Sequence, residues 1–169
     1  MADIHVDPEQ TRALQESAEA IATNLATMRA WGAYNLLRVD SLCGAVQPKK
    51  TVVGYVTCLA AISGSTPKEM VSILGLRKDV DLVNGAVIYQ LDRVPEEGEF
   101  LPRGYTTLPN GLRLKPGVKT DADGYGPGHG AWQVQLVEPG IPASLFAVVH
   151  PGNAFEPPLH PRVAALYGR

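Results

Sequence analysis

Arg93, Arg103 and Glu138 have the side-chain types that cleave a nicotinamide nucleotide in an ADP-ribosyl transfer, in a chain of 169 residues. An arginine orients the phosphates, and a glutamate stabilises the oxocarbenium ion that develops as the glycosidic bond opens. Thr106 is a further polar group in the same stretch. The spacing does not select these residues over others, and a plain β-subdomain carrying an arginine on its surface accounts equally for the segment.

Asp121, Asp123 and His129 form a second constellation. Hard cations take oxygen ligands, and alternating aspartates supply them. A calcium loop needs further oxygen ligands and a distal glutamate, and neither is present, so the expectation is a solvated turn with no bound metal. The four histidines, His5, His129, His150 and His160, are scattered, and none stands at the spacing that puts two ligands on one helix face. Gly124 to Gly130 has the glycine density of a dinucleotide loop. A strand follows it, so no helix dipole would meet a pyrophosphate. No Gly-x-Ser-x-Gly or Gly-Lys-Ser/Thr motif occurs. No cofactor is expected.

Residues 51–94 also fit a winged helix. Thr51–Ile62 would support Pro67–Leu74, Gly75-Leu76 would turn, and Lys78–Arg93 would be the recognition helix ahead of a hairpin wing. Asn84-Gly85 lies inside that last helix, where a glycine costs about 1 kcal/mol. Asp79 and Asp81 would face the groove and repel phosphate. The charge balance agrees: 15 basic against 17 acidic residues give a formal net charge of -2. The basic clusters Lys49-Lys50 and Arg77-Lys78 are short. Nucleic acid is therefore a possible partner but not the favoured one.

These residues need elements to position them. Asp7-Pro8-Glu9 is a helix start, with a capping aspartate and a proline suited to the first turn. Leu14, Ala18, Ile21, Leu25 and Met28 then draw one stripe, predicting an amphipathic helix from Asp7 to about Ala30. Ala33 to Leu42 reads as a second helix or a kinked continuation of the first. Thr51 to Ile62 reads as a buried helix, although its β-branched residues keep a strand open. Thr66-Pro67 starts a short helix that Gly75 ends.

After Gly75 the texture becomes that of strands. Asn84-Gly85 and Asn110-Gly111 each lie between apolar runs and predict hairpin turns. Ala131 to Val137 alternates as a strand, Pro139-Gly140-Ile141-Pro142 reads as a turn, and Ala143 to Val149 as a final apolar strand. The chain is Pro-rich from His150 onward, which predicts an extended tail lying on its own or a neighbour's surface.

The resulting expectation is an α+β single domain, with helices over about 7–76 packed on an antiparallel sheet of hairpins over about 79–150 and a tail over 151–169. Cys43 and Cys58 are expected as buried reduced thiols. The start of the chain lacks a signal-peptide pattern, and its longest nearly uncharged stretch is too short and polar to span a bilayer. No membrane partner and a cytoplasmic location are therefore expected. By elimination, the expected function is a non-catalytic structural or protein-interaction subunit of a larger assembly, such as a virion. It would self-associate or bind a protein partner, with Phe155, Leu159 and Tyr167 as anchors.

Overall fold

A computed structural model describes residues 8–43, 51–102, 105–107, 114–116 and 131–158. The α+β expectation holds: a long N-terminal helix is followed by a mostly antiparallel β-structure. Helix α1 spans Pro8–Trp31. Strand β1 is Leu36–Ser41 and β2 is Thr51–Cys58. Two short helices follow, α2 at Leu59–Ile62 and α3 at Pro67–Leu74. Strand β3 is Ala86–Leu91, β4 is Phe100–Pro102, β5 is Tyr105–Thr107 and β6 is Leu114–Pro116. The last, β7, runs unbroken from Gln133 to Val149.

The strands close on themselves. β1 pairs with β2, β2 with β7, β7 with β3, and β3 with β1, every pair antiparallel. β4 lies outside this ring, against Val134–Leu136 of β7. Side chains from all four ring strands form one buried cluster, including Leu36, Val56, Tyr89 and Leu136. Met28 of α1 joins this cluster, with Ile21 and Leu25 packed beside it, as the predicted stripe requires. Ala18, in the same stripe, is exposed. The opposite face of the ring carries a second cluster. There Leu37, Val39 and Ile88 meet Ile62, Met70 and Leu74 of the short helices.

Several expected elements differ. The second helix over Ala33–Leu42 is a single 3-10 turn, Ala33–Asn35, followed by β1. Alternation decides it: Leu37 and Val39 point into one cluster while Arg38 and Asp40 lie on the other face. The buried helix over Thr51–Ile62 is a strand until Cys58, because β-branched Thr51, Val52, Val53, Val56 and Thr57 favour the pleated surface. The region expected to be helical, 7–76, thus contributes two strands to the ring. The recognition helix expected over Lys78–Arg93 does not form, since Ala86–Leu91 is β3.

Asn84-Gly85 leads into β3, but no strand precedes it over residues 80–83. Asp81 accounts for this. Its carboxylate accepts from the Arg77 backbone N–H at 2.8 Å and pairs with the Arg77 guanidinium at 2.9 Å, pinning a turn. The second hairpin has its strands, β5 and β6, in antiparallel register, with its Asn110-Gly111 turn outside the described residues.

The turn expected at Pro139–Pro142 is a bend inside β7. β2 tracks across it, pairing Leu136 with Gly54 and Ile141 with Val52. Gly140 makes the crossing possible. It has φ +92°, and a Cβ there would sit 2.5 Å from the Val52 carbonyl oxygen. α3 follows its prediction closely. Thr66 accepts from the Glu69 backbone N–H while the Glu69 carboxylate accepts from the Thr66 N–H, a complete capping box.

Candidate functional site

Arg93 and Glu99 form a closed pair. Nη1 and Nη2 of Arg93 donate to Oε1 and Oε2 of Glu99 at 2.6 and 2.7 Å. The Glu96 backbone N–H adds a bond to Oε1 at 2.9 Å. The arginine bond above all, then the Glu96 N–H, holds the Glu99 carboxyl down to about 2, against the opposing pull of desolvation. Glu99 raises the Arg93 guanidinium in turn. The fork that would orient a pyrophosphate is thus engaged within a loop. Glu138 is exposed on β7, at the bend. Arg103, Asp121, Asp123, His129, Leu159 and Tyr167 lie outside the described residues.

Phe155 is placed differently from the expectation of a partner anchor. It is 1% exposed, inside the second cluster of its own chain, with its ring edge-on to Phe146 at 6.0 Å. Backbone bonds fix it there: Phe155 N–H donates to Ser65 O at 2.8 Å, and Gly64 N–H donates to Phe155 O at 2.7 Å. The start of the tail therefore lies on its own domain. The thiols also differ from expectation: Cys58 is buried at the end of β2, whereas Cys43 is exposed, and neither is in a disulfide.

A polar feature that the sequence did not single out sits where β1 and β2 part. These strands are in register only at Leu36–Cys58 and Leu37–Thr57. Beyond that point the Arg38 guanidinium bridges the gap. Its Nη1 donates to the Tyr55 carbonyl at 3.0 Å, and its Nε and Nη2 reach Asp40 Oδ1 at 3.0 and 2.9 Å. Gly54 leaves the space for it, since a Cβ there would meet Nη1 at 2.9 Å. A small cleft opens beside this bridge, bordered by Leu37, Tyr55, Thr57, Leu74 and Gln133. It has room for about one water molecule. Thr57 and Gln133 are buried there and bond the Trp132 and Leu74 carbonyls at 2.9 and 3.0 Å. The period-two placement of Arg38 and Asp40 was the signal available in the sequence.

The register carries this feature across the sheet. Arg38 lies opposite Tyr89 and Asp40 opposite Val87, so all four share one face. Tyr89 in turn lies opposite Leu145, and Val87 opposite Val148. A bulge at Phe146, between the pairs Tyr89–Leu145 and Ile88–Ala147, makes this possible. The extra residue brings Leu145 and Val148 onto the same side although they are three apart. Tyr89 and Val87 are buried, but Leu145 and Val148 are 40% and 36% exposed. The result is a strip: a neutralised ion pair on β1, a buried apolar row on β3 and an exposed apolar row on β7.

The β7 end of the strip is also a sheet edge. Over Ala143–Val149, β7 pairs with β3 on one side, and among the described residues no strand pairs with the other. This stretch has no charged side chain and no proline of its own, although the bulge at Phe146 bends it and the Asp92 carboxylate accepts from the Ser144 hydroxyl at 2.7 Å. β4, by contrast, ends in Pro102. Among the described residues no group of His, Cys, Asp and Glu is arranged to hold a metal, and no helix is long and apolar enough to cross a membrane. Comparison with protein-family models, curated proteins and solved structures finds no match to this chain.

Proposed function

We propose that the chain is a non-catalytic protein-interaction subunit that binds through the β7 edge and the strip beside it. The observation that carries this reading is the exposed pair Leu145 and Val148 on a strand whose second side pairs with no strand among the described residues. Such an edge offers backbone hydrogen bonds to an incoming strand, and its side chains supply the apolar area that makes the addition stable. The neutralised Arg38–Asp40 pair borders the strip and asks for no strongly charged partner. The exposed Cys43 thiol supports a reducing compartment, in keeping with a cytoplasmic site of action.

The test is the native size of the tagged chain in extracts of its own source. A complex well above the 18.1 kDa of one chain is expected, and Leu145→Asp or Val148→Asp should return it to the mass of one chain. Circular dichroism of the purified variants controls for folding. A wild-type chain that migrates as a monomer in its own extract defeats the reading.

A further inference from the structure

We infer that the seam between β1 and β2 is a binding site for one ordered water molecule, held by the Val39 backbone N–H and the Gln133 side-chain carbonyl. The site is separate from the β7 edge and independent of what binds there.

Strand geometry leaves the Val39 amide without a partner. In an antiparallel strand the backbone groups of successive residues face opposite neighbours. Leu42 N–H donates to Gly85 O at 3.0 Å. The even-numbered residues of β1 therefore turn their backbones to β3, and the odd-numbered ones to β2. Leu37 exchanges its bonds with Thr57, and the register stops at that pair. The next odd-numbered pair would join Val39 N–H to the Tyr55 carbonyl. That carbonyl accepts instead from Nη1 of Arg38 at 3.0 Å. Val39 is buried, and among the described residues its N–H has no hydrogen-bond partner. Buried backbone amides are nearly always paired, with ordered water where no protein group reaches them.

Val39 and Gln133 both border the cleft that has room for about one water molecule. Gln133 is 5% exposed. Its Nε2 is committed to the Leu74 carbonyl at 3.0 Å, and among the described residues no group donates to its Oε1. Thr57 Oγ1 donates to the Trp132 carbonyl at 2.9 Å and keeps lone pairs for a further donor. The site thus calls for a molecule that accepts from Val39 and donates to Gln133 and Thr57. A halide ion accepts but cannot donate, and a metal cation cannot accept from an amide. Leu37, Leu74 and Leu76 supply apolar walls that leave no space for a larger amphiprotic molecule. Water meets both demands and fits. Arg38 creates the site by occupying the carbonyl that would otherwise close the ladder.

High-resolution crystal structures of the full chain test the site. The wild type should show one water within hydrogen-bonding distance of Val39 N and Gln133 Oε1. Gln133→Met keeps the side-chain length and removes the acceptor, so its crystals should lose that water while the strands stay in register. Crystals soaked in bromide should give no anomalous peak in the cleft. If Gln133→Met does not fold, the wild-type and bromide crystals decide the question by themselves. An empty cleft, a protein carbonyl bonded to Val39 N–H, a bromide peak in place of water, or a water that persists in Gln133→Met would each overturn the site.

Discussion

A Cβ on Gly54 would lie 2.9 Å from Nη1 of Arg38. β2 accepts a glycine there because the arginine must pass between β1 and β2 to reach the Tyr55 carbonyl. Gly54 also has φ +87°, a conformation that side chains resist. Gly54→Ala should therefore destabilise the fold by about 1–3 kcal/mol. Adding Arg38→Ala should remove the steric part of that loss and leave the backbone part. A double-mutant cycle by urea denaturation should thus be non-additive by more than about 0.5 kcal/mol. Additive losses would mean that the two residues do not meet.

Phe155 is the second case, and it separates a tail held by its own domain from one that seeks a neighbour. Its ring is fully enclosed by the second cluster and by Phe146. Phe155→Ala should cost about 3–5 kcal/mol of monomer stability, the usual range for a buried aromatic. Denaturation at low protein concentration isolates that contribution from any assembly. An unchanged midpoint would return Phe155 to the role of an external anchor.

The elements that the sequence announces are those whose signals are local. Thr66, Pro67, Glu69 and Gly75 specify α3 within one short span, and the structure realises the capping box and the terminating glycine. The stripe of α1 is similarly self-contained. β1 was hidden because Leu36, Leu37 and Leu42 can be placed on a helix. Only the tertiary pairing of Leu37 and Val39 with β3 reveals the alternation. The bend in β7 was hidden for a related reason. Pro139-Gly140 signals a reversal, but whether the strand turns back or continues depends on β2 lying across it. The strip itself depends on a bulge at Phe146 and on registers between three strands. None of that is written in any one segment.

Trp132 and Asn24 link α1 to the ring, and this link is open to a conservative test. The indole Nε1–H donates to Asn24 Oδ1 at 2.7 Å, and Asn24 Nδ2 donates back to the Ala20 carbonyl at 2.7 Å. Trp31 stacks edge-on to Trp132 at 4.9 Å. Asn24→Ala would strand the partly buried indole donor, at a cost of about 1–3 kcal/mol. Asn24→Asp keeps an acceptor for the indole and should cost less than alanine. Equal losses for the two variants in guanidinium denaturation would deny the hydrogen bond its role.

Glu99 provides the pH dependence. Its carboxyl titrates at about 2 in the folded chain, held down chiefly by the bond from Arg93, whereas an unfolded glutamate titrates near about 4.3. Between those values the unfolded state binds more protons than the folded one, so stability rises with pH through that window. The contribution is complete above the unfolded value and is lost as pH falls towards the folded one. The side chains of Arg93 and Glu99 are 46% and 28% exposed, so solvent screens the pair and its worth is about 0.2–1 kcal/mol. The stability difference between wild type and Glu99→Gln should therefore be constant from neutral pH down to about pH 5 and vanish towards pH 2. Carbon-13 NMR of the Glu99 carboxyl gives the direct reading. A midpoint near that of a free glutamate would show that the Arg93 pair does not persist in solution.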